Sequence, residues 1–88
     1  MYYSNVFQGV TKKQLKNSLK NKIPIEIISY CMGVSKTWFS LIVKEIKKRG
    51  NLVYFKAEGV TSNDKHWDCR GYIKSKKNYG AMTVKLKE

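Results

Sequence analysis

The stretch CMGVSKTWFSLIVKEIKKRG, residues 31–50, is the part of the sequence that most limits the possible folds. Its apolar residues recur three and four positions apart, which is the spacing of one face of an α-helix. These residues are Phe39, Ile42, Val43 and Ile46. Ser35 is suited to cap the helix at its start, and Gly50 is suited to end it. The stretch therefore predicts a helix over residues 35–49.

Two shorter helices are predicted before this one. Thr11 begins a capping box, and the apolar residues after it predict a first helix over residues 12–21. Pro24 suits the first turn of a second helix over residues 24–32, where its missing N–H group costs nothing. Gly33 is suited to end that helix, since a glycine readily adopts positive φ.

After the third helix the apolar residues change from a helical to an alternating pattern, which predicts three antiparallel strands. The predicted strands cover residues 52–57, 66–73 and 81–86. The segments between them, GVTSNDK and KSKKNYG, are rich in turn-forming residues. Residues 2–7 are rich in strand formers and predict either a short strand or an aromatic plug. The chain is thus expected to form one domain over residues 1–88.

The charge of the chain indicates which partners it attracts. Its 88 residues include 18 lysines and arginines against 6 acidic residues, a net charge of +12. Such a chain attracts polyanions, and nucleic acid is the commonest polyanion in a cell. The hydrophobic fraction of 42% is too high for a disordered tail and predicts a folded domain.

The order of the predicted elements and the residues around Gly33 resemble those of winged helix-turn-helix DNA-binding proteins. In that family a small residue lies four positions before the turn glycine and lets two helices cross closely, and Ser29 takes that position here. The apolar positions that hold the two helices together are matched by Ile28, Met32, Val34, Phe39 and Ile42. The resemblance implies an α+β winged helix-turn-helix fold, with residues 35–49 as the recognition helix.

The resemblance also implies which residues contact DNA. A recognition helix lies in the major groove with the residues near its N-terminus against the base edges. The outward positions of the predicted helix are Ser35, Lys36, Thr37, Ser40, Leu41, Lys44 and Lys48. Serine and threonine hydroxyls can donate to or accept from base edges. Leu41 suits a thymine methyl group, although a surface leucine is common without any such role.

The loop KSKKNYG is the expected wing. Its candidate DNA-binding residues are Lys74, Lys76, Lys77 and Tyr79. Lysines at such a hairpin tip lie along phosphates or enter the minor groove, and the alternative is a solvated turn that keeps the sheet edge soluble. Lys12, Lys16 and Lys20 form a stripe on the first helix, which is more often a solvated face than a contact with DNA.

Double-stranded DNA is therefore the expected partner, and the expected function is sequence-specific transcriptional regulation or a replication or partition role. Two alternatives stay open, namely nonspecific architectural binding of DNA or RNA and docking to a protein. Tyr54 and Tyr72 share one face of the predicted sheet, which is typical of surfaces that stack the bases of single strands. Trp38, on the flank of the predicted recognition helix, either packs against the domain or forms a homodimer seam.

No catalytic or metal site is predicted. The closest group of acidic and imidazole side chains in sequence is Glu58, Asp64, His66 and Asp68. Most of this group lies in or beside a predicted turn, where such side chains are usually solvated, so we expect no enzyme activity. Cys31 and Cys69 are far apart and form neither a zinc-binding pattern nor a disulfide framework. No motif for a cofactor or a small-molecule ligand stands out.

The sequence also predicts the cellular compartment of the protein. No apolar run approaches the roughly 18 to 20 residues that span a bilayer. The N-terminal residues MYYSNVFQGV lack the charged and apolar regions of a secretory signal. We therefore expect a cytoplasmic protein without a membrane partner, associated with the nucleoid if the source is bacterial or viral.

Overall fold

The computed structural model describes residues 2–31, 35–74 and 79–87. These residues form six antiparallel strands and one helix. In chain order they are β1 (Tyr2–Gln8), α1 (Lys12–Asn21), β2 (Ile25–Cys31), β3 (Ser35–Arg49), β4 (Leu52–Thr61), β5 (His66–Lys74) and β6 (Tyr79–Leu86). Each strand pairs with the next one in the chain, and β1 also pairs with β6, so the sheet closes into a barrel.

The residues predicted as the recognition helix form β3, the longest strand of the barrel, so this prediction is wrong. Phe39, Leu41 and Val43 alternate with more exposed residues and point into the core. The register with β4 then shifts between Val43 and Glu45, which leaves Lys44 as the extra residue of a β-bulge. The next core-facing residue is Ile46, three positions after Val43, and this bulge spacing imitates the period of a helix.

The segment predicted as the second helix is also a strand. Ile25, Ile27 and Ser29 are buried and alternate with exposed residues along β2, as expected for a strand with one face in the core. Pro24 directly precedes β2, where its missing N–H group removes no bond from the ladder. Gly33, the predicted turn between helices, lies outside the described residues.

The predicted winged helix-turn-helix fold is therefore wrong, because β2 and β3 belong to a closed barrel. The sequence after Gly50 forms strands β4, β5 and β6, but these complete the barrel wall instead of forming a separate sheet with a wing. Gly50 does not end a helix. It has a φ of +56° and lies in a two-residue turn that joins β3 to β4, with Arg49 paired to Leu52.

The helix predicted over residues 12–21 is present as α1 with the predicted capping box. The Gln14 N–H donates to Thr11 Oγ1 at 3.1 Å, and the Thr11 N–H donates to the Gln14 side chain at 2.8 Å. Leu15 and Ser18 form the buried side of the helix. α1 packs against β2 and β3. Its contact with β3 includes Val43, which lies past Leu41, the last β3 residue that pairs with β2.

The helix satisfies a backbone group beside the bulge. The Val43 N–H donates to Ser18 Oγ at 3.0 Å, and Ser18 is 1% exposed. Val43 is next to the extra residue Lys44, where the regular hydrogen-bond ladder of the sheet is disturbed. A side-chain acceptor satisfies its N–H group at this point. Ser18 therefore couples the position of α1 to the bend in β3.

The core fills the barrel with side chains from all six strands and α1. Phe7 and Phe55 meet edge to face near its centre, with ring centroids 6.1 Å apart. The buried apolar residues are Phe7, Val10, Leu15, Ile25, Ile27, Phe39, Leu41, Val43, Val53, Phe55, Ala57, Cys69, Ile73, Met82 and Val84. Because alternate residues of each strand enter this core, the remaining ones face outward and form the outer surface of the barrel wall.

We predict that Ser18→Ala lowers the free energy of unfolding by about 1–3 kcal/mol, because the buried Val43 N–H would lose its acceptor. Urea unfolding followed by circular dichroism measures this change. Lys13→Ala, on the exposed side of the same helix, is the matched control and should change stability by no more than about 0.5 kcal/mol. Equal stability of the two variants would show that the Ser18 bond does not hold the bulge.

Candidate nucleic-acid interface

Outward side chains of β3, β4 and β5 form one surface that combines positive charge with aromatic rings. Tyr54 pairs across the sheet with Lys47 on one side and with Tyr72 on the other. Lys56 and Arg70 form the neighbouring cross-strand pair. We call Lys47, Tyr54, Lys56, Arg70 and Tyr72 the basic–aromatic face. They line an open groove of about 360 Å³.

The two tyrosines of this face are placed to contact a planar ligand. Their ring centroids are 6.1 Å apart and the rings are tilted by 56°. Tyr54 is 39% exposed, and Tyr72 is partly exposed. Side chains directly opposite each other in antiparallel strands lie close together, so the backbone itself holds the two rings side by side. The rings therefore offer a stacking surface that needs little rearrangement.

The charges around the tyrosines are mostly uncompensated. Lys56 Nζ lies 3.4 Å from a carboxylate oxygen of Glu45, and both side chains are about half exposed. Lys47 and Arg70 form no ion pair with another described residue. The face thus carries net positive charge, with Glu45 as the one acidic residue that lines the groove. Glu58 and Asp68 form the next cross-strand pair beyond Lys56 and Arg70.

The end of β5 and the start of β6 extend this surface. Lys74 Nζ lies 5.7 Å from the centroid of the Tyr79 ring, within the range of a cation–π contact. Both residues were predicted to belong to a DNA-binding wing, and they lie on strands of the barrel wall. Lys76 and Lys77, the other predicted wing residues, lie outside the described residues.

The other predicted DNA-binding residues do not share one surface, because successive residues of a strand point to opposite sides. Leu41 is 2% exposed and belongs to the core, so its predicted outward position is wrong. Thr37 is half-buried, and its carbonyl oxygen accepts a bond from Ser29 Oγ at 3.4 Å. Ser40 is half-buried opposite Glu26, and Ser35 is the first residue of β3.

The lysines predicted on the recognition helix are distributed over separate parts of the barrel. Lys36 is exposed and lies 5.9 Å from the centroid of the Tyr30 ring. Lys44, at the bulge, has its Nζ 4.0 Å from a carboxylate oxygen of Glu58. Lys48 lies beside Lys12 of α1, and the contact between these two ammonium groups lowers the pKa of Lys12.

The acidic residues considered as a catalytic group are engaged in ion pairs or lie apart. Lys87 Nζ donates to a carboxylate oxygen of Glu58 at 2.9 Å, and this bond lowers the pKa of Glu58. Asp68 is opposite Glu58 in the backbone register of β4 and β5. Asp64 lies in the turn after β4. The described residues contain no group of three or more histidine, cysteine or acidic side chains placed to hold a metal ion.

The sequence indicated only part of the basic–aromatic face. The alternating pattern placed Tyr54 and Tyr72 together, and the structure brings their rings into contact. Lys47 was missed because the residues around it were interpreted as a helix. Lys56 and Arg70 were missed because their cross-strand pairing depends on the register of β4 and β5. The alternation of both strands could have indicated that they share the outer surface.

Comparison with protein-family models, curated proteins and solved structures finds no match to this chain. Among the residues that the structure describes, none of the helical segments has the length and apolar character needed to span a membrane.

Cys69 is 1% exposed and belongs to the core of the barrel, a position that disfavours reaction of its thiol. Burial raises the pKa of its thiol to about 12, so very little thiolate is present near neutral pH. We predict that in a Cys31→Ser protein, where Cys69 is the single thiol, reaction with a disulfide reagent at about pH 8 is slow in native buffer and fast in denaturant. Similar rates in the two conditions would contradict the burial of this thiol.

Proposed function

We propose that this chain binds single-stranded nucleic acid on the basic–aromatic face, with little preference for sequence. The observation that carries the proposal is the exposed Tyr54–Tyr72 pair, whose ring centroids are 6.1 Å apart among the positive side chains of Lys47, Lys56 and Arg70. Proteins that bind single strands without sequence preference combine aromatic stacking with positive charge along the backbone. Both components are present on one groove of this barrel.

Stacking explains why the ligand is a nucleic acid rather than another polyanion. Every base has a flat π-face, so a tyrosine pair can hold bases of any sequence, at about 1–3 kcal/mol per stacked base. The neighbouring lysines and arginine can contact the phosphates, which sets the strand along the groove. An acidic protein surface would use the charges but would leave the exposed rings without a specific role.

The shape of the barrel favours a single strand over a duplex. A major groove about 12 Å wide accepts a helix or a two-stranded ribbon. The predicted recognition helix is a strand, and each strand of the closed barrel has a neighbour on both sides, so the wall is wider than a ribbon. Bases in a duplex are also stacked on each other and are not free to stack on Tyr54 and Tyr72.

The proposed stacking is tested with Tyr54→Ala, Tyr72→Ala. We expect this double variant to bind a fluorescent oligothymidylate of about 12 nucleotides at least about tenfold more weakly, since about 1.4 kcal/mol corresponds to a tenfold change in affinity. Fluorescence anisotropy at physiological salt measures the change. Tyr54→Phe, Tyr72→Phe keeps the rings and should retain most of the affinity. Tighter binding of the wild-type protein to a duplex than to the single strand would overturn the proposal.

The proposed phosphate contacts are tested with two double variants, each of which removes two positive charges from a different part of the protein. Lys56→Ala, Arg70→Ala removes two charges from the face, and Lys13→Ala, Lys16→Ala removes two from exposed positions on α1. We expect only the first pair to reduce the slope of log affinity against log salt, by about 0.7 for each phosphate that no longer meets a cationic side chain. Equal effects of both pairs would show that binding follows the overall charge of +12 and not this face.

A further inference from the structure

A second group of aromatic side chains is exposed on the opposite part of the barrel wall. Tyr30 on β2 and Trp38 on β3 are 39% and 44% exposed. Ile28 pairs directly with Trp38 across the two strands, and it is 48% exposed. Lys36 lies over the Tyr30 ring at 5.9 Å. This combination of rings and a lysine repeats the chemistry of the basic–aromatic face.

The strand register joins the two groups in one continuous row. Tyr72 pairs with Ala81, Ala81 pairs with Val6, and Val6 pairs with Tyr30. Tyr54 and Lys47 continue the row beyond Tyr72, and Lys36 continues it beyond Tyr30. We call these residues the outer row, in order Lys36, Tyr30, Val6, Ala81, Tyr72, Tyr54 and Lys47. The row begins and ends on β3, because the strands are staggered around the closed barrel.

The centre of the outer row consists of small, uncharged side chains. Ala81 and Val6 are the residues between the two aromatic ends, and both are smaller than the tyrosines on either side. Tyr72 and Tyr30 are three strand spacings apart, about 14 Å along the wall. A single strand stacked at about 3.4 Å per nucleotide would cross this distance in about four steps. The wall therefore leaves a path of suitable length between the two stacking positions.

The row beside the outer row also favours a polyanion. It contains Lys74 and Tyr79, which are in cation–π contact, then Gln8, which pairs with Tyr79. Past Gln8, the same row continues with Ile28 on β2 and then Trp38 on β3. None of the described residues in these two rows is acidic. A strand on this path would meet positive charge at both ends and no acidic side chain in the rows themselves.

We propose that a bound single strand continues from the Tyr54–Tyr72 pair over Ala81 and Val6 to a second stacking subsite formed by Tyr30 and Trp38. This inference rests on the proposed function and extends it to a strand that wraps around part of the barrel. Lys36 is the phosphate contact of the second subsite. With a base on each aromatic end and about three nucleotides between them, the complete site requires about five nucleotides.

A homodimer is a less suitable occupant of this patch. Its exposed apolar side chains, Val6, Ile28, Tyr30 and Trp38, are each less than half exposed. Large side chains cover about 150–250 Å² each, so the four together present at most about 500 Å². A stable interface of ordinary size needs about 800 Å² from each partner. The continuity with the basic–aromatic face therefore points to a strand, and the oligomeric state is measured as part of the test.

The test compares two lengths of oligothymidylate, about 4 and about 12 nucleotides, on the full chain. We expect Tyr30→Ala, Trp38→Ala to weaken binding of the longer oligonucleotide at least tenfold and to leave the shorter one within about twofold. The shorter strand can be held by the Tyr54–Tyr72 pair alone. Leu19→Ala, Ile23→Ala removes two other exposed apolar side chains and should change neither affinity.

Three results would overturn the proposal. The first is an equal loss of affinity, or no loss, for both lengths in the Tyr30→Ala, Trp38→Ala variant. The second is a wild-type dimer in sedimentation equilibrium that the same variant dissociates, which would assign the patch to a second copy of the chain. The third is the absence of wild-type binding to either length, which would overturn the proposed function as well.

Tryptophan fluorescence tests directly whether a bound strand reaches the second subsite. In a Trp67→Phe protein, Trp38 is the single tryptophan, because the sequence contains only these two. Trp67 packs against Phe39 at 6.1 Å between ring centroids, so a phenylalanine keeps an aromatic ring at that position. We expect the longer oligonucleotide to quench Trp38 and the shorter one to leave most of its emission. Unchanged emission with the longer strand bound would mean that the strand does not reach Trp38.

Discussion

Closure of the sheet by pairing of β1 with β6 is the constraint on which the rest of this structure depends. It leaves no open sheet edge at these two strands, where unpaired N–H and C=O groups would otherwise be exposed. Closure also requires tilted and staggered strands, and β3 provides the stagger by pairing with β2 over residues 35–41 and with β4 over residues 39–49. The bulge at Lys44 lies within the part of β3 that pairs with β4, and Ser18 Oγ of α1 accepts a hydrogen bond from the Val43 N–H beside it.

The same stagger gives the outer surface its chemistry. Every strand contributes alternate residues to the core, so side chains that are distant in sequence become neighbours in rows around the wall. The outer row begins and ends on β3, and it carries tyrosines from β2, β4 and β5 with lysines at both ends. A single strand of nucleic acid matches such a row, because bases can stack on successive rings while phosphates meet the charges. The proposed interface is therefore a consequence of closure as much as of composition.

The sequence predicted some elements well and others wrongly, for identifiable reasons. The capping box at Thr11 defines α1 through bonds between residues three positions apart, so local sequence is sufficient for it. The alternation after Gly50 predicted strands where the structure has β4, β5 and β6. The apolar spacing of β3 suggested a helix, because the bulge places Ile46 three positions after Val43. Of the candidate interface, Tyr54 and Tyr72 were indicated by alternation, whereas Lys47, Lys56 and Arg70 required the register.

By itself the sequence determined the properties that depend on residue type and on neighbours along the chain. These are the net charge of +12 with its attraction to polyanions, the apolar content of a folded domain, and the capped helix α1. The tertiary structure decided whether the apolar residues of β2 and β3 form helices or strands, because their spacing fits both and only pairing with distant strands favours one. It also decided which basic and aromatic side chains meet, since that depends on cross-strand register between segments far apart in the chain.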